Sequence, residues 1–558
     1  NNDITVDDDI TGIGTNNFTL EAGRSLTIGE NRNIVLNGGS FIALINDENA
    51  LPSERDIGIA EFKMNPGSSI VTNGGDINVS SGSFADTSQI DTSFTAILSS
   101  RINGDSGNIN ISAIGDITTG QLISGILNPD GESSLNAGDI SVNSTGGDIL
   151  TTDFILANSL VKGGDINLKA ANNLNLTAQG IFTNGNIASI GSAVGGKVTL
   201  ESGNTLFAQN LRIANGILGS GIKNDINVKA KSLILDNASI VAFTFGESKG
   251  GDLLINAENE IEVRQSNLAT NADVGSSGDS GDLTINTKRL TIERIPGLPS
   301  PSGGVGIGSR TDSNTTGNGG DITINATESI EMIGDRPGNF VPTPEALVSW
   351  LLEGDARTGI TTSAEGSGTS GNLIINTSRF IARDGIGINT VPFEGEGGNL
   401  TINAEEILLQ GVTSIGTGNF GKRSGDLTVN ARKVTLLDGG SIGTTSYSGG
   451  NAGNLTIQLE QLIIRNGSTI NTATIEGGRG GDLTIKDAKL IEIVGTSASG
   501  SLTDENVLGV IGNSDSGSFP SNISTSSLGT GDAGNLNITT DKLIVRQGGE
   551  ISSATDND

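Results

Sequence analysis

The stretch SGDLTVNARKVTLLDGGSIGTTS, from Ser424 to Ser446, decides how the rest of the chain is read. It holds one short alternating run at Leu427, Thr428 and Val429, and a second at Val434, Thr435 and Leu436. After Asp438-Gly439-Gly440 comes a third, from Ser441 to Thr445. Alternation sends successive side chains to opposite faces of a strand, and Gly with Asp marks turns. Three short strands suit many all-β folds, so recurrence is what narrows the choice. SGNLIINTSRFIARDGIGINT begins at Ser370, GGNLTINAEEILLQGVTSIGT at Gly397, AGNLTIQLEQLIIRNGSTINTAT at Ala452 and GGDLTIKDAKLIEIVG at Gly480. The glycine before Asp or Asn falls at Gly371, Gly398, Gly425, Gly453 and Gly481, at spacings of 27, 27, 28 and 28 residues. A fixed period of this size predicts a solenoid.

One such coil cannot bury its inner face alone. Stacking pairs each strand in parallel with its counterpart in the next coil, so backbone groups are satisfied between coils. The predicted fold is therefore an all-β parallel β-helix with 27–28-residue coils. Neighbouring strands lie ~4.8 Å apart, so 17 to 19 coils would give a rod of roughly 80–95 Å. The Asn that follows the first run recurs at Asn256, Asn286, Asn325, Asn376, Asn403 and Asn430. In register, these side chains would form a hydrogen-bonded ladder. The Gly-Asp/Asn pair before the run suits a turn with φ > 0. Both features read as architecture.

The signal also starts earlier, as GGDINVS at Gly74, SGNINIS at Ser106, AGDISVN at Ala137 and GGDINLKA at Gly163. Its spacing there is looser. Three regions follow: irregular coils over 1–70, a second irregular set over 71–250, and regular repeats over 251–558. Three insertions break the regular part, near 297–304, 335–355 and 496–522, each between a second run and a recognisable third. Insertions at one equivalent turn emerge on one face, often a binding face in repeat proteins. The middle insertion predicts a short helix. Thr343 suits the N-cap, Pro344 the first helical position and Gly354 the stop. Leu347, Trp350 and Leu351 would share one side of it, as packing against the coils or as a partner contact.

Composition excludes much. The 558 residues carry 63 acidic and 32 basic side chains, a formal net charge of −31. That argues against nucleic acid, whose phosphates need a basic surface, and against anionic lipid. There is no Cys and no His, so disulfides, thiol nucleophiles, Ser-His-Asp triads and His-ligated metals are excluded. No run reaches the length of an apolar membrane span. No signal peptide is visible at NNDITVDDDITGIG, and the last coil stops partway, so the natural chain is expected to be longer. Calcium is the sharper reading of the acidic excess. GGRGGDLTI, Gly477 to Ile485, approaches a calcium-binding nonapeptide, but Thr484 stands where a large apolar residue belongs and no tandem copies follow. No cofactor is expected.

As a set, GNLTINAEEILLQGVTSIGT, AGNLTIQLEQLIIRNGSTINTAT and GTGDAGNLNITTDKLIVRQGGEISSAT resemble the repeats of filamentous-haemagglutinin-like exoproteins of the two-partner secretion class. The cyanobacterial-type versions are the most similar. The resemblance covers about residues 70–558. It implies a right-handed parallel β-helix, export through an outer-membrane secretion transporter of a Gram-negative-type bacterium, and a place at the cell surface or in extracellular fibres. The family's amino-terminal secretion domain is not evident. The expectation is a non-enzymatic structural or adhesive protein for attachment, aggregation or matrix formation, with a cell-surface or matrix polysaccharide or protein as target. Two alternatives stay open: a filament subunit that self-associates end to end, and a β-helical polysaccharide lyase or hydrolase. A cleft lined by Asp with Lys or Arg would favour the enzyme. Aromatic residues, 3% of the chain, look too sparse for a sugar-stacking platform.

Overall fold

The computed structural model describes residues 2–49, 56–83, 87–128, 132–178, 186–222, 225–298, 304–335, 358–497 and 518–555. The helix expected around Leu347, Trp350 and Leu351 lies outside them. All regular structure among the described residues is strand, and the pairings between strands of successive coils are parallel. The chain is a parallel β-helix whose contacts divide it into two units, Asn1–Glu258 and Asn259–Asp558.

In the second unit, Leu400, Leu427, Leu455 and Leu483 stand in one register column. On the third strands, Ile388, Ile415, Ile442, Ile470 and Ile523 form another. These side chains are almost wholly buried. Each removes about 1.5–3 kcal/mol worth of apolar surface from water. Sequence patterning separates the first and second runs, but in five coils of this unit they join. Leu283–Glu293, Ile322–Ile333, Leu373–Arg383, Leu400–Gln410 and Leu427–Leu437 are continuous strands. Leu427–Leu437 then pairs with two shorter strands, Leu455–Gln458 and Gln461–Arg465. The strands that follow the three insertions, Val305–Thr311, Thr358–Ala364 and Asn522–Ser527, belong to the same third-strand column. The insertions therefore leave from one equivalent turn.

The first unit is built the same way, with many shorter strands beside long ones such as Ile226–Asp236. Ile140–Ser144, Ile166–Ala170 and Val198–Ser202 stack in register, as do Ile149–Thr151, Leu174–Thr177 and Thr205–Gln209. Even where the repeat signal is faint, Phe18–Glu21 pairs with Phe41–Ile45, and that strand with Ile77–Ser81.

The repeat glycines serve a different purpose from the one their sequence context suggests. Gly371, Gly398, Gly425, Gly453 and Gly481 do not have positive φ. Instead, a Cβ on Gly425 would lie on the carbonyl oxygen of Gly398, well inside 3.0 Å, and one on Gly453 would lie on that of Gly425. The same contact recurs in the first unit between Gly107 and Gly75, and between Gly138 and Gly107. Glycine is required because the coils touch backbone to backbone. The left-handed residues sit at the turn before the third strand: Asp384-Gly385 (φ 63° and 92°), Asp438-Gly439 (54° and 89°) and Asn466-Gly467 (57° and 77°).

This distinction is testable. Gly425→Ala forces the coils apart and should cost more than about 3 kcal/mol, the upper range for an ordinary point substitution. Gly439→Ala meets no atom within 4 Å and should cost about 1–2 kcal/mol, the left-handed penalty alone. Hydrogen exchange of the amides in the flanking coils measures both, with the larger loss of protection expected for Gly425→Ala.

Candidate functional face

Each glycine column is closed by buried hydroxyls. Thr362, Thr390, Thr417, Thr444 and Thr472 donate to the carbonyls of Gly371, Gly398, Gly425, Gly453 and Gly481 at 2.5–2.6 Å. These threonines are at most 2% exposed. A buried hydroxyl is costly unless bonded, so each Thr–Gly pair ties the third strand to the start of the next coil. Ser370 and Ser424 complete the site by accepting from the N–H of Gly398 and Gly453 at 2.8 and 2.7 Å. Sequence reading missed these residues, though a signal exists: the threonine falls eight or nine residues before each repeat glycine.

Beside the glycines, an Asp or Asn accepts the next coil's N–H through Oδ1 in coil after coil. Asn372 does so from Asn399 N–H at 2.9 Å, Asn399 from Asp426 and Asp426 from Asn454. Asp76, Asn108 and Asp139 act alike in the first unit.

The expected Asn ladder is present in the second unit. Asn325 Nδ2 donates to Asn286 Oδ1 at 2.9 Å. Asn376, Asn403 and Asn430 each donate to the preceding member at 2.8 Å. The column continues as Gln458 and Lys486. Asn256 lies on Leu253–Arg264 in the first unit, partly exposed. Two residues before the ladder, on the same outward face, runs a threonine column: Thr284, Thr323, Thr401, Thr428, Thr456 and Thr484. Only Ile374 interrupts it, between Thr323 and Thr401. The face is a grid of neutral hydrogen-bonding groups.

Three further features bear on function. Phe393, Phe420 and Tyr447, spaced 27 residues apart, stack with centroids 5.2 and 4.9 Å apart and planes within 15°. The Tyr447 ring lies 3.4 Å from where a Cβ of Gly418 would be, so the stack covers third-strand backbone. The sparse aromatics are thus partly concentrated at one corner. In the first unit, a shallow depression of about 230 Å³ is lined by Asp165, Asn167, Lys169, Lys197, Thr199 and Glu201, with Ile166 at its base. Lys169 and Glu201 are paired at 3.1 Å, and Asp165 Oδ1 accepts the Lys197 N–H at 2.7 Å. On the second strands of the second unit, Glu492 accepts from Arg465 at 2.9 Å and from Arg546 at 3.0 Å. The Arg465 hydrogen bond, opposed by partial desolvation and reinforced by Arg546, holds the Glu492 carboxyl below its ordinary value. Among the described residues no group of three or more Asp or Glu is arranged to hold a metal. The nonapeptide-like Gly477–Ile485 instead contributes Gly481 to the glycine column, and Asp482 pairs with Arg479 at 3.0 Å.

Comparison of the chain with family models, curated proteins and solved structures finds no match.

Two outcomes follow from these contacts. Asn403→Asp keeps the oxygen that accepts from Asn430 but sets a second oxygen against Asn376 Oδ1 with no proton between them. It should destabilise the ladder by about 1–3 kcal/mol at neutral pH. The unmade bond raises the new carboxyl's folded pKa, so the deficit against wild type should shrink as pH falls and protonation restores a donor. Urea unfolding of both proteins across pH 3–7 (roughly the carboxylate range) checks the sign. Glu492 behaves oppositely. Its depressed folded pKa stabilises the protein above the ordinary carboxylate range, and that contribution is lost as pH falls through the folded value. Glu492→Gln should therefore cost at most about 1 kcal/mol at pH 7, because both arginines are about half exposed. The difference from wild type should vanish in acid.

Proposed function

We propose that this chain is a non-enzymatic, secreted or cell-surface β-helical exoprotein of the filamentous-haemagglutinin-like, two-partner secretion kind. Its role is attachment, aggregation or matrix formation around a Gram-negative-type bacterium, after export through an outer-membrane transporter. The observation that carries this reading is the division of labour within the coil. Glycine, buried threonine and turn Asp/Asn are committed to stacking, while the outward first-strand face carries a regular neutral grid. A long repetitive surface suits many weak contacts with a polymeric target. The net charge of −31 keeps such a surface soluble.

The depression at Asp165, Lys169, Lys197 and Glu201 gives the enzymatic alternative a foothold, an acid and base set on an outward face. Glu201 is ion-paired with Lys169, and Asp165 Oδ1 accepts the Lys197 backbone N–H, so both carboxylates already have partners within the coil stack. Immunogold electron microscopy of intact native cells tests the main reading. Label on the cell surface or along extracellular fibres is expected, and fibres far longer than a single chain could span would identify end-to-end assembly. Label confined to the cell interior would overturn the proposal, and so would release of sugar ends from polysaccharide by the purified chain.

A further inference from the structure

We infer that the outward first-strand face of the second unit binds an extended, neutral polysaccharide chain running across successive coils. The inference rests on the adhesive reading and names its ligand class.

The first support is unspent hydrogen-bonding capacity. An Asn side chain has two N–H donors and two acceptor lone pairs. Within the ladder, each of Asn325, Asn376 and Asn403 uses one donor toward the preceding coil and one lone pair toward the next. One N–H and one lone pair per coil remain, on an amide already fixed at both ends. Beside them, the hydroxyls of Thr323, Thr401, Thr428 and Thr456 are partly exposed and make no hydrogen bond among the described residues. Fixed groups bind with little ordering cost.

The second support is charge. Thr and Asn are neutral, and the carboxylates beside them at Asp426 and Asp482 are paired with Arg423 and Arg479 at 2.8 and 3.0 Å. An anionic polymer would find no free cation along these two columns before Lys486, at the far end of the Asn column. A chain of sugar hydroxyls finds alternating donors and acceptors.

The third is period. Coils repeat at ~4.8 Å, and a pyranose in an extended β-linked chain advances by a similar distance. One sugar per coil would meet the same Thr hydroxyl and Asn amide from Thr284 to Thr428, except at Ile374, and Thr456 with Gln458 one coil further on. Each contact is weak, and repetition supplies the affinity.

The test is co-sedimentation of the purified full chain with microcrystalline β-1,4-glucan and with chitin. Binding to at least one is expected, unchanged from low salt to about 0.5 M, where charge attraction is screened to a few ångströms. The combined variant Thr323→Val, Thr401→Val, Thr428→Val and Thr456→Val should bind at least about tenfold more weakly, the loss expected for several hydrogen bonds. Serine at the same four positions should restore binding. Thr291→Val with Thr435→Val, on the second-strand run, should change nothing and controls for folding. The inference fails if neither glycan retains the chain, if salt abolishes retention, or if the four-valine variant binds as wild type. It also fails if the chain binds no glycan but arrests ice growth, since the grid would then match a water lattice. Surface labelling of cells would survive each of these failures, so the two readings fall separately.

Discussion

Everything in this protein depends on how closely one coil can approach the next. Parallel strands must meet at hydrogen-bonding distance along every side of the coil, and one recurrent tight point is the start of the first strand. There Gly398 lies over Gly371, Gly425 over Gly398 and Gly453 over Gly425, with no room for a Cβ. Once those backbones touch, Leu427 and Ile442 must stack on their counterparts, because the parallel register allows no slip without turning the apolar set outward. The buried Thr–Gly hydrogen bonds lock the same point from inside. Glycine column, threonine clamp and turn carboxamide form one device, repeated per coil.

The apolar framework was legible in the sequence because alternation and a 27–28-residue period are direct consequences of strand geometry and coil closure. The Asn ladder from Asn286 to Asn430 was legible for the same reason: identical residues in register must meet. The glycines were found but misread. Turn chemistry and close backbone approach both select glycine, and only φ with the neighbouring atoms tells them apart; the left-handed positions proved to be Asp438-Gly439 and its equivalents. The threonine clamp was invisible because Thr444 looks like any strand threonine until its partner, nine residues on, is known to lie across the coil. The pairing of Phe393, Phe420 and Tyr447 needed the same third dimension, although their spacing carried the signal.

Outward positions obey a different logic from inward ones. Inward, any repeat that keeps Leu, Ile and Val in register suffices. Outward, like residues stack as readily as inward ones, and stacking decides what they can do. Stacked Asn satisfies itself in part and becomes rigid. Charge on the second strands alternates instead. Glu492 lies between Arg465 and Arg546, and Arg289 between Glu260 and Glu328 at 3.0 and 3.2 Å. The Arg289 hydrogen bonds to Glu260 and then Glu328 hold its guanidinium more firmly protonated. Like charges at the same spacing would repel along the whole column, so an acidic solenoid has to interleave its cations where its carboxylates crowd.

This separates the faces by chemistry. The second strands of the second unit carry charge that is largely consumed by neighbours one coil away. The first strands carry neutral groups that are consumed only in part. A ligand that recognised charge would have to break coil-to-coil ion pairs, whereas one that recognised Thr hydroxyls and the free half of each Asn amide would leave the ladder intact. Of these two faces, the one a ligand could occupy at less cost is therefore the grid beside Asn325, Asn376, Asn403 and Asn430. The cost of distorting a ligand there is lowest for one whose own repeat follows the coils.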